Sequence, residues 1–201
     1  MAEFTEQDLL PNPIAQFQRW YQDAREANVA ALDAMTVATA TRAGVPSARM
    51  VLLKEADERG FGFYSNAGSQ KGRELAENPV AALVIYWPEL GRQVRVVGAV
   101  SQVAPEESDA YFASRARGSQ LGAWASPQSQ PLPDRAALDE RVRQLDAKYA
   151  GQPVPRPAYW GGYRVTPSTI EFWQSRPNRL HDRFRYTRQP NGEWTIQRLA
   201  P

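Results

Sequence analysis

The feature that most limits how this chain can fold is a succession of short segments rich in β-branched and aromatic residues, each cut off by turn residues. Residues 35–41 (MTVATAT), 47–54 (SARMVLLK) and 61–65 (FGFYS) are separated by RAGVP and ADERG, so they are expected as consecutive antiparallel strands. Residues 80–87 (VAALVIYW) and 92–103 (RQVRVVGAVSQV) continue the sheet. Segments 161–167, 169–175, 183–187 and 193–199 complete it, the last two joined across Asn191-Gly192, a pair suited to a tight hairpin. Short strands with turns between them and helices interspersed favour an α+β class, a barrel-like sheet of mostly antiparallel strands with flanking helices, over a parallel βαβ fold.

The helical segments are fewer. Asn12 and Pro13 form a helix start, after which Ile14, Phe17, Tyr21 and Ala24 fall on one face. Residues 105–124 and 133–150 are both helical by pattern, the second with a stripe of Leu138, Val142, Leu145 and Tyr149. The proline-rich stretch 151–160 (GQPVPRPAYW) is expected as a connector. The organisation is a short polar N-terminal arm, 1–12, and one domain, 13–201, without internal repeats.

Composition narrows the function. The chain has no cysteine, which excludes a disulfide scaffold, thiolate metal sites and cysteine nucleophiles. The start MAEFTEQDLL lacks a signal pattern and the run VAALVIYW is too short to span a bilayer, so a cytoplasmic protein with no membrane partner is expected. Net charge is only +2, yet 21 of the 24 cationic residues are arginine, whose planar fork suits phosphate and carboxylate. These cations are scattered among acidic residues, which favours small anionic ligands over a nucleic-acid groove.

Four stretches can carry chemistry. Ser69, Gln70 and Lys71 in GSQKGREL stand where a strand hands over to a helix, offering free N–H groups and a cation to an anion; the same residues also make an ordinary helix cap. Arg49 and Lys54 flank an apolar strand and leave on opposite faces. Tyr111, Arg115 and Ser119 are spaced by four, one polar stripe if the helix continues past Gly118. Finally, EFWQSRPNRLHDRF (171–184) holds the single histidine, His181, between Arg179 and Asp182. One histidine without cysteine disfavours a transition-metal site, and no GxSxG elbow is present for a serine triad. From the residues alone, His181 beside Asp182 reads as a hydrogen-bonded structural histidine more readily than as a catalyst.

Taken in order, LPNP, ARMVLLK, FYSNAGSQKGREL, RQVRVVG, YFASRARGSQLGAWAS, YWGGYRV, IEFWQ, RLHDRF and the terminal RLAP resemble the pyridoxine/pyridoxamine 5′-phosphate oxidase family. The likeness spans residues 10–201, and RLHDR together with SRARGSQLGAW carries most of its specificity. It implies a homodimeric, FMN-binding split β-barrel with the cofactor at the subunit interface. By the same resemblance Arg49, Met50, Val51, Leu52, Leu53 and Lys54 line the flavin, followed by Tyr64 and Ser65. Gln70 and Lys71 match the grip on the FMN phosphate, and Gln93 a flavin-ring contact. Gln128, Ser129, Trp173 and Arg183 match positions supplied by the other subunit. For the substrate, Lys54, Tyr111, Arg115 and Ser119 match a phosphate-binding set, while Arg179, Leu180 and His181 match residues against the pyridine ring, with Arg179 and His181 in the catalytic role. The implied reaction is oxidation of pyridoxine or pyridoxamine 5′-phosphate at C4′ to pyridoxal 5′-phosphate by hydride transfer to FMN, with oxygen as final acceptor and hydrogen peroxide as product.

Two departures from the family are visible. Residues 1–12 are shorter than the basic and aromatic arm that closes over substrate in the family, and Gln70 stands where an arginine is common. The flavin oxidases of phenazine biosynthesis share the fold, a short arm and a similar GSQKGREL segment, and are the main rival reading. A non-catalytic flavin or pyridoxal-phosphate carrier is a third.

Overall fold

In the computed structural model, which describes residues 3–201, the expected strand segments pair into one sheet. Met1 and Ala2 of the arm lie outside the described residues. The strands are β1 (Ala34–Ala40), β2 (Pro46–Leu52), β3 (Glu55–Asp57), β4 (Gly60–Asn66), β5 (Val80–Trp87), β6 (Arg92–Gln102), β7 (Trp160–Gln174), β8 (Asp182–Arg188) and β9 (Trp194–Arg198). Their order is β2-β1-β5-β6-β7-β4-β3, with β8 on β7 and β9 on β8, and every pairing is antiparallel. Around it lie α1 (Pro13–Glu26), α2 (Gln70–Glu77), α3 (Pro105–Ser114), α4 (Arg117–Ala125) and α5 (Arg135–Lys148).

Residues 161–167 and 169–175, expected as two strands, form the single strand β7. One edge of β7 runs along β6; its other edge pairs with β4 through residues 160–165 and with β8 through 169–174. Between the two partners the register slips, with Gly98 opposite Pro167 and Val97 opposite Thr169, so Ser168 is the extra residue of a bulge. Its hydroxyl donates to the Val97 carbonyl at 3.0 Å. Gly98 has to be glycine here, because a Cβ would sit 2.0 Å from the Thr166 carbonyl oxygen. This change of partner along one strand curls the sheet into a split barrel.

Helix α1 fills the curl. Asn12 caps it through Oδ1, accepting from the Ile14 and Ala15 N–H groups at 2.7 and 3.2 Å, as the Asn-Pro start predicts. Phe17 meets Phe61 edge-on at 4.9 Å and Trp20 meets Phe172 at 5.2 Å, inside a core that includes Met35, Val37, Leu83, Ile85, Val94 and Phe184. A second cluster of Phe112, Leu121, Tyr149, Val154 and Trp160 sits under α3 to α5. Of the expected α5 stripe, Leu145 and Tyr149 reach that cluster.

The segment 105–124 is also corrected: it is two helices, broken at Arg115 and Ala116 and not at Gly118. Arg115 (ψ 147°) and Ala116 (ψ 139°) are extended, and Gly118 lies inside α4. Among the described residues no helix is long and apolar enough to cross a membrane, and no group of metal-ligating side chains gathers.

Candidate active site

A cavity of about 440 Å³ opens between β2, β4, the start of α2, and α3 with α4. That volume lies in the range of small-molecule sites. Met50, Val51, Leu52 and Lys54 contribute from the β2 side, Tyr64 and Ser65 from β4, Lys71 from α2, and Tyr111, Arg115 and Ser119 from the α3–α4 corner. The helix break explains how the last three meet: Arg115 sits in the extended corner, so the trio converges across a bend and not along one helix face.

The α2 end of the cavity is built for an anion. Ser69 caps the helix, and Gly72 lies so close to Ala67 that a Cβ would sit 2.2 Å from its carbonyl oxygen. Lys71 is 6% exposed, and its Nζ contacts only neutral groups: Ser65 Oγ at 3.0 Å, Gln128 Oε1 at 3.2 Å and Ser69 Oγ at 3.5 Å. Among the described residues no carboxylate pairs with it; burial, reinforced by nearby Arg49, pushes its pKa below the usual lysine value. Arg49 approaches α2 from β2, with Nη1 on Thr39 Oγ1 at 2.6 Å and Nη2 at 3.6 Å from Glu74 Oε2. Glu74 also accepts from Ser47, Thr39 and Gln70, and its pKa stays low because those hydrogen bonds outweigh burial. Two cations thus face one buried carboxylate, and a bound phosphate would balance them.

The α3–α4 end is aromatic and cationic. Tyr64 stacks on Tyr111 at 4.0 Å and on Trp160 at 5.5 Å, and Arg115 lies over Trp160 at 4.6 Å. Arg115 Nη1 is buried without a partner, and burial lowers the pKa of this guanidinium. A buried donor left open is costly unless a ligand accepts it. Lys54 Nζ reaches within 6.0 Å of the Tyr111 ring. Burial and the neighbouring Glu55 push the Tyr64 hydroxyl up to about 12, and Tyr64 Oη donates to Glu55 Oε1 at 3.3 Å.

The remaining candidates lie elsewhere. Leu53 is a core side chain whose N–H donates to the Asp33 carbonyl at 2.9 Å. Gln70 turns toward Glu74 at 2.9 Å and does not line the cavity. Gln128 lines it from the same chain, beside Lys71, where the resemblance implied delivery by a partner; Ser129 is exposed, with φ 69°. Gln93, Trp173 and Arg183 form one cross-strand row with Tyr86 over β5, β6, β7 and β8, away from the cavity lining. Arg183 is held by Glu171 Oε1 at 2.9 and 2.7 Å. His181 packs on Trp173 at 4.5 Å and accepts at Nδ1 from the Arg176 N–H at 3.1 Å, so the neutral ring carries its proton on Nε2. Asp182 does not bond it, since alternation along β8 turns that carboxylate to the other side, toward Phe4 and Arg198. Arg179 and Leu180 are exposed. The chain therefore carries two separate groups of candidate residues.

Sequence reasoning missed Asn66, Ser126, Trp160 and the small residues Gly122 and Ala123, all of which line the cavity. Trp160 carries no sequence signal of its own; it enters the site by stacking on Tyr64, beside Gly162, where a Cβ would sit 2.8 Å from Tyr64.

The comparisons agree with this architecture. Residues 21–149 match the family described as pyridoxamine 5′-phosphate oxidase, and residues 160–201 match the pyridoxine 5′-phosphate oxidase C-terminal dimerisation region. A pyridoxine/pyridoxamine 5′-phosphate oxidase of Paraburkholderia phymatum is 56% identical over 194 residues, covering 96% of this chain and 91% of that protein. One from Cyanothece sp. is 53% identical, covering 98% and 92%. Among solved structures, PhzG from Burkholderia lata, in complex with tetrahydrophenazine-1-carboxylic acid, superposes with a TM-score of 0.93 at 36% identity, covering 100% of this chain and 98% of that one. An FMN-binding, pyridoxamine 5′-phosphate oxidase-related protein from Nostoc punctiforme shares the fold, with a TM-score of 0.75 at 16% identity and coverage of 96% and 100%. With an anion-ready helix entry, an open arginine beside stacked aromatics and matches to both family regions, over 21–149 and 160–201, the chain belongs to the pyridoxamine 5′-phosphate oxidase family.

Proposed function

We propose that this chain is an FMN-dependent oxidase that converts pyridoxine or pyridoxamine 5′-phosphate to pyridoxal 5′-phosphate. The observation that carries the reading is one cavity with two unmet cationic centres, Lys71 among hydroxyl and amide groups and Arg115 against Trp160. Two phosphates are what FMN and a phosphorylated substrate bring. Lys71, Ser65 and the start of α2 receive the FMN phosphate, and Met50, Val51 and Leu52 lie against the flavin. Lys54, Tyr111, Arg115 and Ser119 receive the substrate phosphate. FMN would supply the two-electron acceptor for oxidation at C4′: the alcohol gives the aldehyde directly, and the amine gives an imine that water hydrolyses with release of ammonia, with oxygen as the final acceptor and hydrogen peroxide as product. The protein supplies position and charge.

The second group acts from the partner copy in a homodimer. The C-terminal dimerisation region contains Trp173, Arg179, His181 and Arg183. Placed over a neighbour's cavity, Arg179 and the His181 Nε2–H orient the pyridine ring, and Trp173 and Arg183 close on the flavin. The phenazine-type reading is weaker, because the solved PhzG is 36% identical whereas the oxidase relatives reach 53% and 56%. Anaerobic addition of pyridoxine or pyridoxamine 5′-phosphate to the FMN-loaded protein tests the reading. Bleaching of the visible flavin band with formation of pyridoxal phosphate is expected, and a band unchanged by both compounds overturns it.

A further inference from the structure

The described arm, residues 3–12, contributes nothing to the cavity lining; it packs against β8 and β9. Phe4 is buried, its ring 4.8 Å from Trp20 and edge-on to Phe184 at 5.1 Å. Its N–H donates to Asp182 Oδ2 at 3.2 Å. On one side of it, Glu3 Oε1 lies 2.7 Å from Arg176 Nη2. On the other, Glu6 takes Arg198 through both carboxylate oxygens at 2.8 and 2.9 Å, and Arg198 reaches Asp182 Oδ1 at 3.0 Å.

What these contacts grip is the loop that carries Arg179 and His181. Arg176 begins it and Asp182 ends it, and both are tied to the arm and to each other, Arg176 Nε lying 3.6 Å from Asp182 Oδ2. Inside the loop Asn178 and Arg179 adopt φ of 58° and 62°. Non-glycine residues hold that conformation only where the surroundings fix it. The Arg176 N–H that sets the His181 tautomer belongs to the same anchored residue.

We infer that Glu3, Phe4 and Glu6 are positioning residues that strap the Arg176–Asp182 loop from behind. They keep the His181 proton on Nε2 and Arg179 in its left-handed conformation. The inference rests on the reading above that Arg179 and His181 face the substrate.

His181 is the only histidine in the chain, so nitrogen-15 labelling of histidine gives one pair of ring signals from the FMN-loaded protein. The wild type is expected to show the Nε2–H tautomer. In Phe4→Ala, and in Glu3→Gln with Glu6→Gln, the ring signals should move toward a mixture of tautomers. kcat should fall about tenfold with little change in KM, the scale expected when a positioning group shifts by a fraction of an ångström. Phe4→Leu should restore both readouts. Ring signals and kcat left unchanged overturn the inference, as does a fallen kcat with wild-type ring signals. If Phe4→Ala does not fold, the glutamine pair, at exposed carboxylates, decides. If the wild type oxidises neither vitamin phosphate, the proposed function fails, and the ring signals alone still decide the strap.

Discussion

Lys71 and Arg115 hold charge that the fold leaves unbalanced. Lys71→Met is expected to weaken FMN binding by about tenfold or more, the loss of a charge-assisted hydrogen bond worth about 1.5–3 kcal/mol, read by flavin fluorescence titration. Its pH dependence has a defined sign. The cation binds the phosphate, and burial has already moved its pKa downward, so FMN affinity should fall from neutral into alkaline pH in the wild type and stay flatter in the variant. Arg115→Ala should raise KM for the phosphorylated substrate by at least about tenfold while leaving FMN affinity unchanged, measured by steady-state kinetics and the same titration. At this scale the sequence was informative wherever a charged side chain stood in an unusual setting: Lys71 after a strand, Arg115 four residues from Tyr111. It was silent on Trp160 and Asn66, whose roles come from stacking and lining contacts with residues far away in the chain.

Among the elements, β7 shows how local signals divide what the fold joins. Pro167 and Ser168 look like a break between two strands, and the alternation on either side is out of step, as it must be around a bulge. Only the partner strand, with Gly98 at the slip, shows that the chain runs through. Gly98→Ala is expected to cost about 1–3 kcal/mol, because its methyl would meet backbone that cannot rotate away; urea denaturation measures it. The helix break at Arg115 was equally hidden, since Gly118 is the more obvious breaker and yet sits within α4. The strands and α1 were legible because period-two and 3.6-residue patterns, turn residues and the Asn-Pro cap all agree there.

At the level of the whole molecule, the open face of the sheet is the unfinished part. Met50 on β2 is in register with Thr36, Val84, Arg95, Glu171 and Arg185 in one row across six strands. Met50, Leu52 and Tyr86 are more than half exposed at its apolar end. On a chain that carries a dimerisation region, this exposed apolar patch is where the proposed homodimer would make contact. In the sequence only the family resemblance pointed to residues supplied by the other subunit; spacing and periodicity within one chain did not. The two groups, Lys71 and Arg115 in the cavity and Arg179 with His181 on the loop, also have a genetic meaning. At an FMN concentration that loads the wild type but not the Lys71→Met variant, a Lys71→Met chain and an Arg179→Ala chain should each show little activity alone. Unfolded together and refolded, they pair at random, and each mixed dimer holds one site with both lesions and one with none. Activity should return to about a quarter of the wild-type value, as two-fold symmetry requires, and its failure to return would mean that each chain works alone.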